Sequence, residues 1–251
     1  MKNHSRSFAV GLAAGIFGGL IGLGGGVIMI PLLTMVLGLS HKQAHGTSLV
    51  GIIFTGLGGA ITYHLHGNVD WLAAGMLCLP AILTAGAGAR FADTLPEWKL
   101  RKTFGAFLLF CAALMLVRFY LPQNDSQSPY FNILVFLITG AVTGFLSGML
   151  GVGGGAIMIA SMVLLTGFSQ HMAQGTSLLV IVPVGLAGVV THHELGNIAK
   201  RCLPGLIPGI LAGVFLGGYV TGFIPEVPLR IAFTAAIVFL GWRCVRTVSA
   251  G

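Results

Sequence analysis

The decapeptide IGLGGGVIMI, residues 21–30, lies in an apolar stretch that holds no Asp, Glu, Lys or Arg between residues 7 and 40. Four of its first six residues are glycine: Gly22, Gly24, Gly25 and Gly26. Each glycine weakens a helix by about 1 kcal/mol relative to alanine. An opened backbone in lipid has no water to satisfy its N–H and C=O groups. Such a stretch is tolerated only where protein buries it or where it lines a watery cavity. The same pattern returns as LGVGGGAIMI at residues 150–159.

Composition fixes the solvent. Of 251 residues, 55% are hydrophobic and only 8% are charged, and the mean hydropathy is +0.94. Soluble domains run near about 25% charged. Several charge-free runs match the roughly 20 residues that cross a bilayer, so an integral membrane protein is expected. The formal net charge is +7. Its cations stand singly between apolar runs, which fits cytoplasmic loops rather than a nucleic-acid surface. Cys78, Cys111, Cys202 and Cys244 form no CxxC pair, so neither a disulfide framework nor a zinc site is implied. The N-terminus has the look of a signal peptide, but its apolar run continues into the glycines and recurs mid-chain, so it is read as a retained helix.

The chain is a duplication. Shifting it by 129 positions lays Gly22 on Gly151, Gly24, Gly25 and Gly26 on Gly153, Gly154 and Gly155, and HGTSL (45–49) on QGTSL (174–178). His64 falls on His193, and PEWKLR (96–101) on PEVPLR (225–230). The units are placed at 8–120 and 131–247, joined by the polar linker LPQNDSQSPY at 121–130. Each holds a Gly-broken segment (8–21 and 27–39 in the first) and three full crossings (46–65, 71–91 and 103–120). Each half of the broken segment is expected to span about 20 Å, short of the roughly 30 Å hydrocarbon core. It is either one crossing broken in its middle or a hairpin.

Charge decides between them. With hairpins and the N-terminus inside, the cytoplasmic side holds Lys2, Arg6, Lys42, Arg90, Lys99, Arg101, Lys102, Lys200, Arg201, Arg243 and Arg246, and the outside only Arg118 and Arg230. The broken-crossing arrangement gives no bias. Three or five crossings per unit is odd, so the second unit must be upside-down. The expected fold is an all-α polytopic membrane protein of two inverted-topology repeats, each a Gly-broken helical hairpin plus three transmembrane helices. Both termini are expected in the cytoplasm, and the two repeats form one membrane domain.

Short, Gly-interrupted segments at matching positions of two halves point to a transport site. Gly24, Gly25, Gly26, Gly153, Gly154 and Gly155 let N–H groups converge, and the helices restarting after them present positive dipole ends. Together they form a candidate anion cradle. No dinucleotide or GK[ST] nucleotide loop is formed. Thr47, Ser48, Thr176 and Ser177 are expected to open the next helix of each unit, as caps or as anion ligands. His45 and Gln174 match in position but not in chemistry; His45 is a candidate anion donor or proton carrier. His64, His66, His192 and His193 are read as interfacial. Asp70, Asp93, Asp125, Glu97, Glu194 and Glu226 are placed in loops, which weighs against a metal-ion transporter built on the histidines. No nucleophile–base set is readable, so an enzyme is not expected. PExxLR reads as a Pro-started helix.

GLGGGVIMIPLL (22–33), the two GTSL motifs and the two PExxLR motifs, in a duplicated chain of this length, resemble the TauE/SafE family of sulfite and organosulfonate exporters. The resemblance covers residues 8–247. It implies movement of a small anion such as sulfite or sulfoacetate through the inner membrane of a bacterium or archaeon. One departure is that Pro31 is matched by Ala160, leaving the second hairpin without that kink. The expected partners are the anion and the bilayer, with no nucleic acid; a homodimer is left open. No cofactor is expected, and with no ATP motif the coupling would run through a proton or the membrane potential. The rival reading is the divalent metal-ion transporter.

Overall fold

The structure, a computed structural model, describes residues 2–22, 24–117, 129–221 and then 231, 234, 235, 238, 239, 241, 242, 245 and 246. Position 23, most of the expected linker, Arg118, Asp125, the second PExxLR with Glu226 and Arg230, Arg243 and Cys244 lie outside these. The described residues are helical, with no strand among them. In order come α1 (Lys2–Ile21), α2 (Gly26–Leu37), α3 (His41–Leu65), α4 (Trp71–Thr94), α5 (Glu97–Val117), α6 (Pro129–Leu150), α7 (Gly155–Leu165), α8 (Gln170–Glu194), a 3₁₀ turn (Lys200–Cys202) and α9 (Leu203–Thr221).

By length and composition, α3, α4, α6, α8 and the Lys200–Val220 segment over α9 are each able to cross a membrane. Large apolar side chains cover their outer faces; Leu79 and Leu83 of α4 are 68% and 74% exposed. Such a belt suits lipid and would be a liability in water.

Both Gly-broken segments are hairpins with unequal arms. The first arms are longer than the 20 Å expected of them. The polar residues 2–7 join α1, with Ser7 buried beside Gly205, and α6 starts at a proline, which suits a first helical position. At 20 and 22 residues, α1 and α6 are about 30 and 33 Å long. The second arms, α2 and α7, have 12 and 11 residues, or about 18 and 16 Å. The change from Pro31 to Ala160 leaves both arms helical.

Small residues at four-residue spacing fix the pairing of these arms. Gly11, Gly15 and Gly19 of α1 lie on Leu206, Ile210 and Val214 of α9, while Gly209, Gly213 and Gly217 lie on Phe8, Leu12 and Ile16. The numbers rise together, so α1 and α9 run parallel with backbones in contact. The duplicate pair does the same: Gly140, Gly144 and Gly148 of α6 lie on Leu77, Ala81 and Ala85 of α4. Absent side chains are what admit such close approach in membranes. Each unit thus lends one helix to the other. At the centre α3 and α8 pack antiparallel: Gly46 meets His192 and Asn197, Gly56 meets Leu178, and Gly175 meets Tyr63 and Asn68.

These contacts gather the cations at one end. Lys42 of α3 bonds Asp93 of α4, and Asn197 reaches the same carboxylate. Ala199 bonds Thr47, and His4 of α1 lies on Gly205 just after Arg201. Arg6, Lys42, Arg90, Lys99, Lys102, Lys200 and Arg201 therefore share an end. At the opposite end Asp70 meets Thr176 near the start of α8.

Candidate substrate site at the glycine loops

The two glycine loops meet inside the bundle. A Cβ on Gly26 would stand 2.8 Å from Cα of Val152 and 2.9 Å from the carbonyl oxygen of Gly151. Ile52 and Ile181, near the midpoints of α3 and α8, flank both Gly24 and Gly153. Gly24, Gly25, Gly153 and Gly154 all have φ between +67° and +84°, a region that a side chain resists. Gly24, Gly25, Gly26, Gly153, Gly154 and Gly155 are all buried.

Two helices begin at this meeting point without side-chain caps. The N-caps of α2 and α7 are Gly25 and Gly154, and neither offers a cap atom. Elsewhere the chain caps its helices conventionally: Ser40 on α3, Asp70 on α4 and Ser169 on α8. The first amides of α2 and α7 have no intrahelical acceptor, and the dipoles add partial positive charge there. Two such ends facing one buried point suit an anion.

The GTS motifs hold the loops in place. They do not open their helices as expected, because Ser40 and Ser169 start α3 and α8 earlier and leave GTS in the second turn. Ser48 donates to the carbonyl of Gly151, and Ser177 donates to that of Gly22 at 3.1 Å. Thr47 accepts from the Ala199 amide at 2.9 Å and Thr176 from the Asp70 amide at 3.0 Å. The serines therefore face the glycine loops, whereas the threonines face away from them. All four are fully buried. Gly46 and Gly175 make room for the carbonyls of Asn197 and Asn68 beside these bonds.

His45 and Gln174 each sit against the glycine loop of the opposite unit. His45 packs on Gly151, and its Nδ1 contacts the Leu150 carbonyl. Gln174 packs on Gly22 and accepts from the Tyr63 hydroxyl at 3.0 Å. His192 is not interfacial: it is 1% exposed, with Nε2 2.9 Å from the Gly148 carbonyl. The reason is the antiparallel packing of α3 and α8, which sinks the end of α8 under the start of α3. His64 and His193 are exposed, as is His66, whose ring bonds the Thr62 carbonyl. Asp93 belongs to the last turn of α4 rather than a loop, and Glu97 and Glu194 also lie at helix ends.

Two residues escaped the sequence reading. Thr143 and Ser147 of α6 are fully buried, and their hydroxyls have no hydrogen-bond partner in the protein. Thr143 lies against Gly154, the start of α7. Their counterparts in α1 are Ala14 and Gly18. Comparing the two copies for positions that are polar in one alone would have found them. Among the described residues, no group of three or more His, Cys, Asp or Glu is arranged to hold a metal ion.

Comparison with known proteins covers nearly the whole chain. The family model described as "Sulfite exporter TauE/SafE" matches residues 7–244. The chain is 30% identical to the probable membrane transporter protein YunE of Bacillus subtilis, over 75% of this chain and 78% of that one. It is 28% identical to YdhB of the same organism, also a probable membrane transporter protein, over 87% and 90%. A probable membrane transporter protein of Methanocaldococcus jannaschii is 28% identical over 73% and 70%. No solved structure matches.

Proposed function

We propose, since the chain belongs to the sulfite exporter TauE/SafE family of membrane transporters, that it is a secondary transporter exporting a small oxyanion such as sulfite, sulfoacetate or another organosulfonate. The observation that carries this reading is the meeting of two uncapped helix N-termini at the glycine loops, halfway along α3 and α8. The backbone amides and dipoles attract the anion without a buried Lys or Arg, and Thr143 and Ser147 add hydroxyl donors on one side. Ser48 and Ser177 keep the loops in register, so their role at the site is to position backbone.

The way the helices interlock supports alternating access. Corresponding helices α3 and α8 run antiparallel, which supports inverted repeats rocking about a shared central site. The clustering of Lys and Arg at one end supports a cytoplasmic location for that end, and with it the N-terminus of α1. The proposed setting is the inner membrane of a bacterial or archaeal cell.

The test is counterflow in proteoliposomes with radiolabelled sulfite and sulfoacetate, beside thermal shift against thiosulfate, carboxylates and divalent cations. Saturable, mutually competing anion uptake is expected. Stabilisation by divalent cations alone, with no anion flux, would refute the reading.

A further inference from the structure

The two halves are built alike but do not carry the same titratable groups. Beside the second glycine loop, His45 Nδ1 contacts the carbonyl of Leu150, and His192 Nε2 lies 2.9 Å from that of Gly148. Both carbonyls belong to the last turn of α6, just before Gly151. A carbonyl only accepts, so His45 Nδ1 and His192 Nε2 must each carry a hydrogen. The remaining nitrogens, His45 Nε2 and His192 Nδ1, are buried and have no partner. In a neutral ring each is a lone pair aimed at no donor, which is a vacancy for a proton.

The first glycine loop lacks such a vacancy. The counterparts of His45 and His192 are Gln174 and Tyr63, and the Tyr63 hydroxyl donates to the Gln174 side chain at 3.0 Å. Neither takes up a proton near neutral pH. The fold thus accommodates an uncharged pair in this arrangement and carries a titratable pair on one side alone.

The pair lies next to the cation-rich end. Among the described residues, the charged and titratable groups around the pair are His41 and Lys42 of α3 and Asp93 of α4. The ring of His41 is 6.2 Å from that of His45. Asp93 is itself held by Lys42 Nζ at 3.2 Å and by the Asn197 amide at 3.2 Å. From α5 the contact on His45 is the edge of Phe104, and α6 offers it a backbone carbonyl.

We propose that His45 and His192 form the proton-binding site of the transport cycle, at the second glycine loop. The proposal rests on the anion-transport reading and names its coupling ion. A proton taken from water at the Lys42–Asp93 end adds to a bare ring nitrogen and makes an imidazolium beside the loop that holds the anion. The pair of charges then crosses the apolar middle with the anion's charge reduced by one, and the proton leaves when the anion does. The first loop, with Tyr63 and Gln174, holds no proton in any state.

The test is the double variant H45Q/H192Y, which gives each position the residue its own counterpart carries. Proteoliposomes loaded with a pH dye are challenged with sulfoacetate, fully ionised at neutral pH, with the membrane potential clamped. Wild type should move protons with the anion, and with the potential clamped a gradient of one pH unit should drive about tenfold accumulation for one proton moved per anion. The variant should show no proton flux with the anion and no proton-driven accumulation. Undiminished proton-driven accumulation in the variant would overturn the proposal. A substrate-free arm separates this from the transport reading: the Tm difference between wild type and variant, measured from pH 5 to 8, should change with pH. A pH-independent difference marks a merely structural pair and also overturns the proposal. PH dependence with no anion flux in wild type would fault the choice of anion and leave the proton site standing.

Discussion

Gly46 and Gly175 lie under the carbonyls of Asn197 and Asn68, and the hydroxyls of Thr47 and Thr176 bond the same loops two residues further on. Gly46→Ala is therefore expected to lower stability by about 1–3 kcal/mol through overpacking. Gly75→Ala meets open space on α4 and should be neutral or slightly stabilising, because alanine is the better helix former. Thermal unfolding in detergent separates the two. Ser48→Ala and Ser177→Ala each remove a bond to a glycine-loop carbonyl and should cost about 0.5–1.5 kcal/mol, with weakened anion binding as the loops loosen. Isothermal titration with sulfite measures the second effect. The sequence marked these residues as a constellation, because GTS recurs at one offset. It gave no sign that Thr47 and Thr176 face away from the glycines, since their partners, Ala199 and Asp70, are chosen by the packing of the two units and not by local pattern.

Helices of this chain start where polar side chains cap them, break at glycines and pair where side chains are missing. Ser40 and Ser169 start α3 and α8, and the glycines Gly24, Gly25, Gly153 and Gly154 break the hairpins. The hairpins were legible because charge counting needs no three-dimensional contact. Arm length was not legible: residues 2–7 look like a polar tail, yet they continue α1 because Ser7 and His4 reach α9. The small-residue stripes were present in the sequence at four-residue spacing, but spacing names a sticky face without naming its partner. Gly213→Leu would drive a side chain into the backbone of α1 between Leu12 and Ile16, and Gly144→Leu into that of α4 at Ala81. Either is expected to abolish the monodisperse folded protein in size-exclusion chromatography, whereas Gly86→Ala, with Thr191 Oγ1 at 3.3 Å as its nearest neighbour, should leave it intact.

At the scale of the molecule, the first helix of each sequence repeat pairs with a helix of the other repeat, α1 with α9 and α6 with α4, and described cations gather at one end. Topology is testable there. In a protein freed of its native cysteines, Lys99→Cys and Lys200→Cys should react with an impermeant maleimide only after the membrane is opened, and His66→Cys from outside. Labelling of Lys200→Cys and His66→Cys from the same side would sink the inverted arrangement. The duplication itself was readable from the sequence, and so was the inequality of His45 and Gln174. The burial of His192 was not, because it depends on α3 and α8 crossing in opposite directions. The parallel pairing of α1 with α9 also sets an order of assembly. Synthesis proceeds from the N-terminus, so α4 and α6 are both available once residue 150 has been made, whereas the glycine face of α1 has no partner until residue 217. The glycine face of α1 is thus made roughly 200 residues before the helix that covers it, so an early helix of the chain waits with its backbone unsheltered while the α4–α6 pair can already close.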